Sequence, residues 1–446
     1  MNPINKLLLA AGLAVASGAW AGTSAADIER LGKDLTPTGA EKAGNKDGTI
    51  PSWEGGLAKT PAGYNPATGY VDPFAGDKPL YTITAANMAQ HKDKLAPGQM
   101  EMLKRFPGYK LNVYTSHRTA AYPQGVYDAV KAEAGKAELA PGGNGVQGVA
   151  RSTVPFPLPK TGVEVIWNHI MRHRGGSVLR YTAEFPVQAN GSFTPVTRTE
   201  TVAFASAMDK PEPNRLLYYL GAITGPSSVA GEALLVIDPI DQVKESRQAW
   251  IYNPGQRRVL RAPDVAYDTP GSGSDGLRTT DDYDGFNGSP DRYDWKLVGK
   301  KEMLISYNNY KLASKSVKYA DIVRPGHLNQ DLVRYEPHRV WVVEATLKKD
   351  KRHIYAKRVF YIDEDSWQIA HADAYDGRGE LWRVHELDAI QAYDAPTLWF
   401  TAEVFYDLQA RRYLVTGLGN EEKPSKFGAK LGVSNFTPDT LRRSSN

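Results

Sequence analysis

The 446-residue chain contains no cysteine. That absence excludes disulfides, thiolate metal sites and lipid attachment through an N-terminal Cys. Nor does one sign of charge prevail, because 54 Lys and Arg face 50 Asp and Glu for a formal net charge of +4. So weak a field steers neither nucleic acid nor an anionic membrane to the protein. No run reaches the roughly 18 apolar residues of a transmembrane helix. No segment repeats at a fixed period, and no Gly-x-Ser-x-Gly elbow is present, which argues against an α/β-hydrolase serine.

What is present begins with Lys6, the short apolar run Leu7 to Ala16 and Ala19-Trp20-Ala21. These read as the n-region, h-region and cleavage site of a secretory signal peptide. Cleavage after Ala21 would leave 425 residues with a formal charge of +3, exported most simply into a bacterial periplasm. The 41 glycines and 29 prolines sit mostly between the periodic segments, and abundant aromatics argue for ordered loops over disorder.

Residues 22–160 read as a helical and irregular covering segment. Helices are expected over Ala25 to Leu35, with Ser24 as N-cap, Thr84 to Lys94, Pro97 to Phe106 and Pro123 to Leu139. Pro141 to Gly145 and Pro155 to Pro159 form a linker. Beyond it, residues 161–446 switch to period two. Strand candidates are Val163 to Ile170, Ser177 to Pro186, Thr194 to Ala205, Arg215 to Leu220, Glu245 to Tyr252, Arg257 to Arg261 and Trp295 to Tyr310. The densest stretch, Arg339 to Thr416, adds five more: Val340 to Leu347, Ile354 to Ile362, Trp367 to Asp373, Glu380 to His385 and Leu398 to Tyr406. Their short polar links suit hairpins and are too short for parallel crossovers. The expected fold is therefore α+β: one large antiparallel sheet with helices packed on or inside it, the two segments forming a joint domain.

Most motifs of enzyme chemistry fail on context. Gly271-Ser-Gly-Ser-Asp-Gly276 matches a dinucleotide string, but neither the strand nor the helix it needs is there, so it reads as a flexible loop. His385-Glu386 begins like a zinc motif, yet Ala389 stands where the second His belongs. On a strand, His169 and His173 would be about 13 Å apart, too far to share a metal. The stretch Asn45 to Glu54 matches part of a calcium loop, but Ala43 occupies its first ligand position, favouring an Asx-type turn. In the acidic loop Asp281 to Asp284, beside Arg278 and Arg292, internal ion pairs compete with calcium or a partner contact.

Trp250 to Pro263 is more specific: a strand, an Asn-Pro-Gly turn and a return strand carrying Arg257, Arg258 and Arg261. Strand alternation puts Arg257 and Arg261 on one face and Arg258 on the other. Either the Asp281 to Asp284 loop or an external acidic partner, such as a lipid headgroup, would meet them. This hairpin resembles one in the LolA/LolB-like superfamily of lipoprotein carriers. Together with Asn45 to Trp53, Asn168 to Gly175, Arg292 to Glu302 and His327 to Trp341, it makes the chain similar to domain-of-unknown-function family 1329, over essentially the whole mature length.

The resemblance implies an unclosed antiparallel β-barrel wrapped around helices, with a concave hydrophobic face for lipid. Trp341, Val343, Ala345 and Leu347 share one strand face, while Trp167, Tyr218, Trp250, Trp382 and Trp399 add apolar surface. The expected ligand-binding set is Trp167, Tyr218, Trp250, Trp341, Val343 and Trp382, unless these simply pack the core. Expected contacts to a partner or headgroup are Arg257, Arg258 and Arg261. The expectation is an exported, non-enzymatic binding or carrier protein for a lipid or acyl compound, without cofactor or metal. The alternative is a scaffold or accessory subunit of an envelope transport complex, and an enzyme of unknown class ranks third.

Overall fold

The computed structural model describes residues 23–444 apart from 264 and 266. The expected signal peptide and its cleavage after Ala21 lie outside the described residues. The principal helices are α1 (Pro97–Arg105), α2 (Gln124–Glu133), α3 (Gly162–Met171) and α4 (Pro438–Arg443). Ser24 does cap a helix, but one of a single turn, Ala25–Ile28, and the expected Thr84 to Lys94 helix is a 3-10 turn over Met88–Lys94.

The main strands are β1 (Ser177–Val187), β2 (Val196–Phe204), β3 (Leu217–Gly225), β4 (Ala233–Asp238), β5 (Gln248–Asn253), β6 (Arg258–Arg261) and β7 (Tyr293–Ser306). They are followed by β8 (Tyr335–Leu347), β9 (Lys357–Asp363), β10 (Ile369–Tyr375), β11 (Leu381–Ala392), β12 (Thr397–Asp407) and β13 (Arg412–Leu418). All belong to one 16-stranded sheet that runs from β8 through β13 to β1 and on to β6, with β7 paired to β8. Pairing is antiparallel throughout these strands; the one parallel step joins β8 to Leu111–Val113. The path ends at β6 on one side and Tyr81–Ile83 on the other, so the sheet is not closed.

Seven strand spacings separate β8 from β2, roughly 33 Å if flat at about 4.8 Å each. Yet Val343 and Ala345 of β8, Val202 and Phe204 of β2, and Trp167 of α3 share a single hydrophobic core. Arg174, three residues beyond α3, lies 4.3 Å from the centre of the Phe204 ring of β2 while α3 itself packs against β8, so the sheet curls around the helix. The opposite face is covered by the N-terminal segment, where Met102 and Leu103 of α1 pack with Phe185, Val404 and Val415.

Helix α3 replaces the strand expected over Val163 to Ile170. Thr161 Oγ1 accepts from the Glu164 amide at 3.4 Å and the Glu164 carboxylate accepts from the Thr161 amide at 3.1 Å, a capping box that starts the helix. Every residue of α3 except Val163 is buried. A helix buried all round has no polar face, so its β-branched residues mimic strand alternation. Strands β4 and β13, absent from the expected set, are the converse. The run Ala233-Leu-Leu-Val-Ile-Asp238 is covered on both faces and therefore shows no alternation.

Candidate functional site: a side cavity on the curled sheet

The face of β8 singled out in the sequence is filled. Trp341 stacks on Trp367 with ring centroids 6.1 Å apart, Val343 is fully buried, and Trp167 sits in the same core with its indole N–H donating to the Gly143 carbonyl at 2.9 Å. Three of the six expected ligand residues thus come together, as the packing around α3. Tyr218 and Trp250 come together elsewhere, against Phe436 and Leu441 near the C-terminal helix α4. Trp382 is apart from both groups and donates to Asp407 at 2.9 Å.

None of the six lines the apolar cavity that the fold does contain. This space of about 290 Å³ lies between strands β2 to β5 and the segment 265–287. Along β3, Leu217, Tyr219, Gly221 and Ile223 point into it, whereas Tyr218 and Leu220 point away to the α4 side. Val202, Phe204, Leu234, Val236, Ile251, Val265, Trp399 and Phe400 complete most of the apolar wall. Larger clefts of about 660 and about 820 Å³ lie mainly between surface loops.

Four arginines reach the cavity wall, and three are held by carboxylates. Arg174 donates to Asp284 at 2.6 Å, Arg198 pairs with Glu184, and Arg247 grips Asp238 at 2.5 and 2.7 Å. Burial pushes the Asp284 carboxyl up, but Arg172 and Arg174 outweigh it and hold it well below the usual range. Burial also lowers Arg174 to about 10, against the pull of Asp284. The fourth, Arg278, has no carboxylate partner among the described residues. Tyr219 and Tyr283 have their phenols raised, first by burial and then by Glu200, so both remain donors. Such a lining can hold an apolar chain and orient one polar end.

The remaining expectations sort plainly. Arg257 lies in the turn at φ +52°, one residue before β6, so it does not share a strand face with Arg261. Arg257, Arg258 and Arg261 are all exposed, and the acidic loop is not their partner. Instead Asp281 is held by Arg358 at 2.9 Å and His353 at 3.1 Å, and Asp284 by Arg172 and Arg174, as the ion-pair reading of that loop required. Asp47 accepts from the Thr49 amide at 3.0 Å, the Asx-type turn expected there. The Gly271 to Gly276 loop is not loose: the Gly271 amide donates to Arg278 O at 3.0 Å and the Leu277 amide to Ser274 O at 3.0 Å. His385 is a strand residue paired with Glu403 at 2.9 Å. His169 is on α3 and buried; its Nε2 donates to the Asp284 carbonyl at 2.8 Å and its Nδ1 accepts from the Ile369 amide at 3.1 Å.

Among the described residues one donor set could geometrically hold a metal: His338, Asp363 and Asp365, with ligand atoms within 4.8 Å of one another. Its atoms are already engaged. Arg118 takes Asp365 at 2.6 and 2.9 Å, Ser366 Oγ donates to Asp363 at 2.5 Å, and Glu336 lies 3.2 Å from the His338 ring. The set works as an internal ion network.

An unclosed, mostly antiparallel sheet curled around a helix, with an apolar side cavity, defines the class of protein. The chain belongs to the DUF1329 family, proteins of unknown function, which it matches over residues 82–442. It is 51% identical over 449 residues to an uncharacterized protein of Pseudomonas aeruginosa, covering 98% of each. Among solved structures it is similar to a DUF1329 family protein from Desulfovibrio piger, at 15% identity and a TM-score of 0.42 over 60% of this chain and 91% of that one. It is also similar to a LolA superfamily protein from Nitrosomonas europaea, at 14% identity and a TM-score of 0.38 over 63% and 100%. No helix among the described residues is long and apolar enough to cross a membrane.

Proposed function

We propose that this chain is an exported, non-enzymatic binding or carrier protein for a hydrophobic ligand, a lipid or acyl compound, held in the side cavity. The observation that carries the reading is the cavity itself: about 290 Å³, with mostly apolar walls, kept open on a sheet whose other inner surface is filled. Its size is at the small end of the roughly 300–1,000 Å³ of small-molecule sites, which favours one acyl chain over several. Burial would contribute about 0.8 kcal/mol per CH₂, and transfer would follow from differential affinity between donor and acceptor.

The test uses an apolar fluorescent probe, N-phenyl-naphthylamine, with mass spectrometry of organic extracts from protein purified without detergent. Leu234→Trp, which adds bulk to the cavity wall, should abolish probe binding, and Trp341→Phe, in the filled core, should leave it intact. Equal binding by both variants and the parent would refute the assignment. A second reading, a scaffold within an envelope complex, draws on the edge hairpin, where Ile251 and Leu260 are register partners yet 40% and 51% exposed. Normal function in cells of the Leu234→Trp protein would favour it.

A further inference from the structure

Resting on the cavity reading, the geometry points to an anionic single-chain amphiphile as the ligand, with Arg278 taking its headgroup. Arg278 is only 7% exposed and lines the cavity, but forms no ion pair among the described residues. Its one hydrogen bond runs from Nη1 to the Thr279 carbonyl at a long 3.4 Å; Nη2 has no partner among the described residues, and Nε is buried without one. A buried charge is ordinarily paired, so this guanidinium is an exception that calls for an acceptor.

The surroundings make room for one. A Cβ on Gly271 would sit 2.7 Å from both Cζ and Nη2 of Arg278, so only glycine admits the guanidinium at this place. The Tyr283 ring supports it, 5.7 Å from Cζ. The other unsatisfied side-chain atoms on the wall are also donors: Nε of Arg174, Nε of Arg198 and the Trp399 indole nitrogen. Among the described residues no orphaned acceptor balances them there. Glu232 also lines the cavity, receiving Ser272 Oγ at 3.5 Å, but it forms no ion pair with Arg278. A planar fork facing an apolar chamber suits a carboxylate or a phosphate monoester, and the volume admits one chain behind it.

The experiment compares dodecanoate, dodecyl phosphate and dodecanol as displacers of N-phenyl-naphthylamine from the full chain at about pH 8, where the carboxylate is ionised. At least one anion should displace at roughly ten-fold to hundred-fold lower concentration than the alcohol, the range that charge-assisted hydrogen bonds give. The tighter of the two anions tells a fatty acid from a lysophospholipid-type headgroup. Arg278→Gln should bring the anions to the level of dodecanol and leave dodecanol unchanged. Gly271→Ala, which displaces the guanidinium without removing it, should do the same, and it serves if the Gln protein does not fold. Equal displacement by both anions and the alcohol in the parent would overturn the anion assignment alone, as would a preference that survives in both variants. Absence of probe and dodecanol binding would overturn the cavity reading with it.

Discussion

Buried carboxyl groups make stability fall as pH rises: a pair on one strand, together with Asp363 and Glu364, which burial pushes up to about 6 and about 7. Glu386 and Asp388 are two apart on β11, facing the same way, at 2% and 0% exposure. Burial, reinforced by Asp388, pushes Glu386 up to about 8, while burial pushes Asp388 up to about 7 against its hydrogen bond from Ser306. Tyr335 donates to Glu386 at 2.7 Å. In the unfolded chain both groups ionise near 4, so above that pH the fold holds protons that the unfolded chain has released. The sign follows: folded pKa values are raised, so this stability is full below about pH 4 and is lost as pH rises through about 7 to 8. His338, raised where Glu336 and Asp363 outweigh burial, acts in the same direction. Burial lowers His169 to about 3 and His173 to about 4, which opposes the trend only below about pH 6.5, where the unfolded imidazoles charge. Between about pH 6.5 and 8, each proton held only by the fold costs about 1.4 kcal/mol per pH unit, so one such proton lowers stability by about 2 kcal/mol. Urea unfolding across this window should show that fall, and Glu386→Gln should flatten it by about one proton. A flat or rising profile, or an unchanged slope in Glu386→Gln, would refute the protonated pair.

Gly98 in α1 would place a Cβ 2.1 Å from Asp373 Oδ1 and 2.9 Å from Val384 Cγ2, so Gly98→Ala pits a helix-propensity gain of about 1 kcal/mol against overpacking of about 1–3 kcal/mol. Net destabilisation is expected in urea, and a more stable variant would contradict the tight approach. Trp167→Ala, emptying the centre of the core around α3, should cost about 3–5 kcal/mol, and a loss under 1 kcal/mol would place that residue outside the core. Arg257→Gln with Arg258→Gln should leave stability within about 0.5 kcal/mol; lost function in cells at normal stability would make the hairpin a contact site, and a lower unfolding midpoint would return it to a structural role. Intact-mass measurement on exported protein should show cleavage after Ala21, and retained Met1 would refute export by this leader.

Much of the sheet was legible because hairpins write themselves into sequence as alternation and turn residues. The strand from Leu398 to Tyr406 was placed within one residue at either end, and family 1329 was recognisable from strings spread along the chain. What failed was the element whose environment erases contrast. Helix α3 is buried nearly all round and strand β4 carries apolar residues on both faces, so neither shows the polar positions that distinguish period 3.6 from period two. The arginine hairpin differs in one local detail: the turn absorbs Arg257 in a left-handed conformation, so strand alternation begins only at Arg258.

The cavity was not legible for a different reason, and it concerns what bulk means on a sheet with two covered faces. Large aromatics on a strand mark whichever face has most space to fill, and here that space is already occupied by α3 on one side and α4 on the other. A cavity persists where side chains are too small to reach across. On β3 the cavity-facing row reads Leu217, Tyr219, Gly221, Ile223, and at its centre a Cβ on Gly221 would lie 2.3 Å from the Tyr219 hydroxyl. Gly271 does the same across the chamber for Arg278. The readable signal is therefore a glycine in the middle of an otherwise apolar strand, a residue that weakens a strand and so marks close approach or empty space.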